Sequence, residues 1–124
     1  MRIVTADTRR STTTPNGTMT TLASPTLGGA QHPLWMVEMN PGVEGPVHAF
    51  EDEVVWAVTD GTGSVRVHGI ETAVAAGDTV VLAAGELRRF LAGPEGFRAV
   101  VTTSAPGRVT RGDGGEPVVP DWVV

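Results

Sequence analysis

Few side chains in this sequence can move a proton near neutral pH. The 124 residues include no Cys, no Lys and no Tyr. Thiolate nucleophiles, cysteine metal sites, Schiff bases and phenolic acids are thereby excluded. What remains is His32, His48, His68 and the carboxylates. His48 alone stands in a spaced pattern. It follows Gly42 after five residues, and Phe50, Val54 and Gly61 come after it at fixed intervals. A second spaced set reads Gly77, Ala83, Gly85, Arg88 and Ala92. His32 sits in a loop before Pro33, and His68 ends a polar face before Gly69, so both are expected to be solvated. The acidic corner Glu51-Asp52-Glu53 is also read as solvated, with Glu51 or Glu53 in reach to orient His48.

The elements that must hold these residues are strands. Sixteen Gly and nine Pro punctuate short runs rich in Val and Thr, the pattern of an all-β chain with tight turns. Strands are expected over Met1 to Thr5, Thr18 to Ala23, Leu34 to Met39, Val47 to Phe50 and Val54 to Thr59. Further strands are expected over Ser64 to His68, Glu71 to Ala75, Thr79 to Ala83, Leu87 to Ala92, Phe97 to Thr103 and Arg108 to Arg111. Asp60 to Gly63 reads as a turn, and His68-Gly69 as a two-residue hairpin turn. Leu34 to Met39 has one face of Trp35, Val37 and Met39 and another of Leu34, Met36 and Glu38. The tail, Gly112 to Val124, is expected to pack through Trp122. About ten short strands at this spacing suggest a sandwich or barrel.

The first spaced set resembles the leading motif of the cupin family, G-x5-H-x-H-x3-E-x6-G. The second resembles G-x5-P-x-G-x2-H-x3-N. The resemblance covers roughly residues 34 to 104. It implies an all-β double-stranded β-helix, or jelly-roll barrel, in one domain over residues 1–124. Residues 1–33 would be N-terminal strands and 105–124 a C-terminal strand and tail. Cupins bind a metal through three histidines and a glutamate. Here those four places hold His48, Phe50, Val54 and Arg88. A shifted register, with Pro46 and His48 in the first two places and Glu53 as the carboxylate, leaves seven residues before Gly61 where the pattern has six. It also turns Trp56 outward and supplies only two ligands. No metal and no other cofactor is expected.

In the cupin frame the ligand positions point into the barrel. His48, Phe50, Val54, Trp56 and Val58 then face inward, with Arg88 and Phe90 on the opposite wall. Met36 and Glu38 are expected to join Phe50, Val54, Trp56, Val58 and Phe90 against a ligand. His48 and Arg88 are the expected catalytic pair. His48 would move the proton, and Arg88 would hold an anion. An alternative for Arg88 is a structural ion pair with Glu38 or Glu86. Arg89 should face the other way, into solvent. The reading that follows is a metal-independent cupin acting without oxidation on a small, planar, anionic metabolite. Isomerisation, cyclisation, dehydration and decarboxylation are its reaction types. A binding cupin without turnover and a metal-dependent dioxygenase are the alternatives.

The net charge of −5 and the lack of a basic stripe argue against nucleic acid or an anionic membrane as partner. No apolar run approaches the roughly 20 residues of a spanning helix. The opening MRIVTADTRR lacks the apolar core of a signal peptide, so a cytoplasmic location is expected. Val54 to Thr59 is apolar on both faces, as is Leu87 to Ala92. That pattern calls for cover outside the barrel, and a homodimer using Met1 to Ala23 is expected.

Overall fold

The computed structural model describes residues 1–124. Ten strands account for nearly all the regular structure: β1 (Arg10–Thr14), β2 (Gly17–Ala23), β3 (Leu34–Met39), β4 (His48–Phe50), β5 (Val54–Val67), β6 (Ile70–Ala75), β7 (Thr79–Leu82), β8 (Arg88–Thr103), β9 (Val109–Arg111) and β10 (Gly114–Val118). One 3-10 turn, Ala6–Thr8, precedes them. Every pairing between strands is antiparallel.

Two long strands organise the rest. The first half of β5 pairs with the second half of β8, through Val54↔Thr103 to Val58↔Ala99. The second half of β5 pairs with the first half of β8, through Gly63↔Ala92 to Val67↔Arg88. Each long strand thus runs through two sheet layers. One layer continues from β8 to β3, β2 and β1, with β7 on β5. The other continues from β8 to β4, β9 and β10, with β6 on β5. The curl between the layers closes a jelly-roll barrel around the inward faces.

Where a turn is expected at Asp60 to Gly63, the chain instead carries β5 onward through two register shifts, at Val58/Asp60 and Gly61/Gly63. Such bulges bend a strand without ending it. Gly61, at φ 78°, is needed there, because a Cβ would meet the Gly96 carbonyl oxygen at 2.3 Å. Leu87 to Ala92 and Phe97 to Thr103 likewise merge into β8. The His68-Gly69 turn is as expected: both residues have positive φ, and Val67 pairs with Ile70 across it. Met1 to Thr5 forms no strand; Arg10–Thr14 does, against β2. The tail adds β10 against β9.

Period-two alternation sends Trp35, Val37 and Met39 of β3 into the core, with Phe50, Trp56, Phe90, Phe97 and Val101 from other strands. Each such burial is worth about 2 kcal/mol or more. The end of the chain seals one side. Val123 is fully buried, Trp122 is half-buried, and Thr21 Oγ1 donates to the Trp122 carbonyl at 2.7 Å.

Candidate functional site

The barrel encloses a cavity of about 780 Å³ that opens to solvent. Its wall is mostly aromatic. The rings of Trp56 and Phe90 are stacked 3.9 Å apart at 17°, brought together because both face inward from the paired strands β5 and β8. Trp35 and Phe50 stack on another side at 6.0 Å. Such a lining favours a flat, apolar ligand body. Trp56 Nε1 is a buried donor with no acceptor.

His48 is half-buried on the cavity wall. Its Nδ1 lies 2.9 Å from the Pro46 carbonyl oxygen. A carbonyl can only accept, so in the neutral ring Nδ1 carries the hydrogen and Nε2 keeps the free lone pair. The acidic corner does not orient this ring. Glu51 bonds Arg108 at 3.5 Å, and the Pro46 carbonyl is the partner of the His48 ring. Burial, and then the positive charge of Arg88, lower the His48 pKa from 6.5 to about 4, against a small upward pull from the Pro46 bond. The imidazole is neutral at pH 7.

Arg88 lies directly across from His48, in register between β4 and β8. It is only 2% exposed. Its guanidinium carbon sits 5.0 Å from the centre of the Phe50 ring, and Nη1 donates to the His48 carbonyl at 3.2 Å. Nε and Nη2 have no partner. Burial lowers its pKa to about 10, opposed by Glu86, so it stays charged at pH 7. It forms no ion pair: Glu38 is taken by Arg98 at 2.9 Å. Nor does it line the cavity, whose wall at this point includes Phe50 and His48.

The other expected residues divide. Phe50, Trp56 and Phe90 line the cavity, and Glu38 stands at its rim. Val54 and Val58 are buried beside Trp56 but belong to the core. Met36 is a correction. It is half-buried on the outer face, paired with Thr20 and Val100, because the face of β3 that carries Trp35 turns inward. Arg89 is a second correction. Rather than extending into solvent, it donates from Nε to the Gly45 carbonyl at 2.8 Å and reaches the cavity rim. The sequence reading also missed Trp35, Val37, Met39 and Arg111 as lining residues. The heavier aromatic face of LWMVEM was the available signal for the first three. His32 and His68 are exposed, as expected.

Solved structures with this arrangement of strands are similar at low identity. The polyketide cyclase RemF from Streptomyces resistomycificus superposes with a TM-score of 0.77 at 21% identity, over 94% of this chain and 88% of that one. The fold is that of the cupins. A salicylate 1,2-dioxygenase from Pseudaminobacter salicylatoxidans gives 0.73 at 20% identity, over 86% of this chain and 33% of that one. A tryptophan-to-tyrosine variant of oxalate decarboxylase from Bacillus subtilis gives 0.71 at 13% identity, over 79% and 28%. The chain therefore spans about a third or less of the dioxygenase and decarboxylase chains. No protein-family model and no curated protein sequence matches it.

The cupin fold implies a metal, and the residues here do not fit one. The ligand places offer one imidazole, two apolar side chains and a guanidinium that can only donate. No three His, Cys, Asp or Glu side chains converge anywhere in the barrel, whereas a catalytic transition-metal site usually takes three protein ligands.

Proposed function

We propose that this cupin binds a small, planar, anionic metabolite in its barrel and moves a proton on it without oxidation or a metal ion. The supporting observation is the neutral His48 ring, with Nε2 free, on the wall of an aromatic cavity beside a buried cation. Trp56 and Phe90 stack on the flat body of the substrate. Nε2 of His48 accepts a proton from an activated carbon or oxygen, and the charge left behind is stabilised by the guanidinium of Arg88 through the low-polarity wall. Isomerisation, cyclisation and dehydration can start from such an anion; decarboxylation reaches a similar carbanion by loss of CO2, which then takes up a proton. Similarity to structures that include a polyketide cyclase and an oxalate decarboxylase supports this range.

A free imidazole with a pKa of about 4 is a weak base. An anionic substrate in the cavity raises that value by opposite-charge attraction and so restores basicity when it is needed. The same weak basicity favours a second reading, a binding cupin without turnover. Mass spectrometry of small molecules released from the purified protein tests the common part. An acidic planar compound is expected. A neutral or highly polar compound counts against both readings. Near-stoichiometric iron, manganese, nickel, copper or zinc in protein purified without chelator, lost on changing His48, overturns metal independence.

The working unit in this proposal is a homodimer. Val55, Val81, Val100 and Met36 lie on one outer surface across β7, β5, β8 and β3, and Val81 is 59% exposed. A partner's outer face and N-terminal strands would cover them. The ligand is small and lies within the barrel, and the site of action is a soluble compartment such as the cytoplasm. No helix of the chain is long and apolar enough to cross a membrane.

A further inference from the structure

The buried guanidinium of Arg88 is sealed off from the cavity, so a second cation must meet the anionic group if the ligand enters as an anion. The inner face of β4 shows where. His48 pairs with Arg88 on one side and with Arg111 on the other, across β8, β4 and β9. Residues directly opposite in an antiparallel pair project to the same face, with Cβ atoms about 5 Å apart. Since His48 faces the cavity, Arg111 does too, and it lines the cavity beside the buried Val109. Arg111 is exposed at the rim, and its backbone is held in place. Gly112 N donates to the Val47 carbonyl at 2.9 Å, and a Cβ on Gly112 would meet Val47 Cγ1 at 2.8 Å. The turn therefore rests tightly on Val47, just before β4.

Arg111 is also uncommitted. Arg66, Arg89, Arg98 and Arg108 each hold a carboxylate. Arg10 is bound to Ser24 and to the Val124 carbonyl. The Arg111 side chain makes no hydrogen bond and no ion pair, although Asp113 stands on the same rim. Of the other charged groups lining the cavity, Glu38 is paired with Arg98, and Arg89 with Glu44 and the Gly45 carbonyl.

We propose that Arg111 is the specificity-determining residue of the cavity, holding the carboxylate or sulfonate of a planar anion at the mouth so that its apolar body lies against Trp56 and Phe90 beside His48. This rests on the reading of the cavity as a ligand site and adds the polarity of the ligand: charged end outward, apolar end inward. A guanidinium is suited to the task, because its fork of N–H donors matches two oxygens of one anionic group.

Two fluorescent probes that differ only in the charge provide the test: 1-anilinonaphthalene-8-sulfonate and the neutral N-phenyl-1-naphthylamine. Both are titrated against the wild-type full chain and against Arg111→Gln, Arg111→Lys and Arg108→Gln. Arg111→Gln is expected to weaken the sulfonate about tenfold and to remove most of its salt dependence. The neutral probe should change by less than about twofold, Arg111→Lys should recover part of the loss, and Arg108→Gln should resemble wild type. Equal weakening of both probes makes Arg111 a structural residue and overturns the proposal. So does an unchanged sulfonate affinity, or an equal loss in Arg108→Gln. If the neutral probe binds wild type and the sulfonate ignores Arg111, the cavity reading stands and this assignment falls. If neither probe binds wild type, both fall.

Discussion

Replacing Arg88 by Met should leave the fold as stable as before or make it more stable. The charge on Arg88 is nearly sealed from water, at 2% exposure. Burial brings its pKa down to about 10. At about 1.36 kcal/mol per unit, that displacement sets a ceiling of roughly 3 kcal/mol on the cost of keeping the cation there. Against this stand one hydrogen bond to the His48 carbonyl at 3.2 Å and the contact with the Phe50 ring. A bond from a charged donor contributes about 1.5 kcal/mol at this length, and a cation over a ring about 1 kcal/mol. Met is unbranched and fills a similar volume without a charge. The balance is between about 0 and 2 kcal/mol in favour of Arg88→Met, in line with other buried charges replaced by apolar groups. Urea denaturation at pH 7 measures it as a shift in midpoint at constant slope. A loss of more than about 2 kcal/mol would instead mean that Nε and Nη2 have partners that offset their burial. Arg88→Ala, which leaves a void, should be less stable than Arg88→Met by about 1 to 3 kcal/mol.

Stability should depend on pH through His48. Its folded pKa of about 4 lies below the unfolded 6.5, so the unfolded chain binds more protons between those values. The contribution is complete above pH 6.5 and is lost as pH falls towards 4, by roughly 3 kcal/mol at most. Thermal melts of wild type and His48→Gln across that range check it, since the variant should lack this component. Once a substrate is in hand, His48→Gln should keep its affinity and lower turnover by about a hundredfold or more. Unchanged turnover makes His48 a relic and favours the binding reading. Light scattering at micromolar concentration should give a homodimer; a monomer contradicts the proposed cover for Val55, Val81 and Val100.

The barrel was legible because its frame lies in glycines and in spacing. The positions around Gly42, Gly61, Gly77 and Gly85 pointed to the cupin fold even with most of the metal ligands replaced. The aromatic wall followed from alternation along β5 and β8, which put Trp56 and Phe90 inward. Alternation alone does not say which face of a strand is inside. Both faces of Leu34 to Met39 carry large apolar residues, and Met36 was assigned to the wrong one. Inward-facing is also different from cavity-lining. Arg88, Val54 and Val58 point in, yet the packed aromatics leave them off the cavity wall. Arg111 was invisible for another reason. Its place opposite His48 depends on pairing between strands about 60 residues apart, which no local pattern encodes.

We propose that His48 acts as a neutral proton acceptor on the cavity wall. Long-range 1H–15N correlation spectra of the imidazole nitrogens, recorded between pH 3.5 and 8 with His48 assigned by its absence in His48→Gln, test it most directly. The expected result is a neutral ring with the proton on Nδ1 down to about pH 5, and a single protonation step near 4 that moves upward in Arg88→Met. A titration at 6.5 or above, indifferent to Arg88, would contradict it.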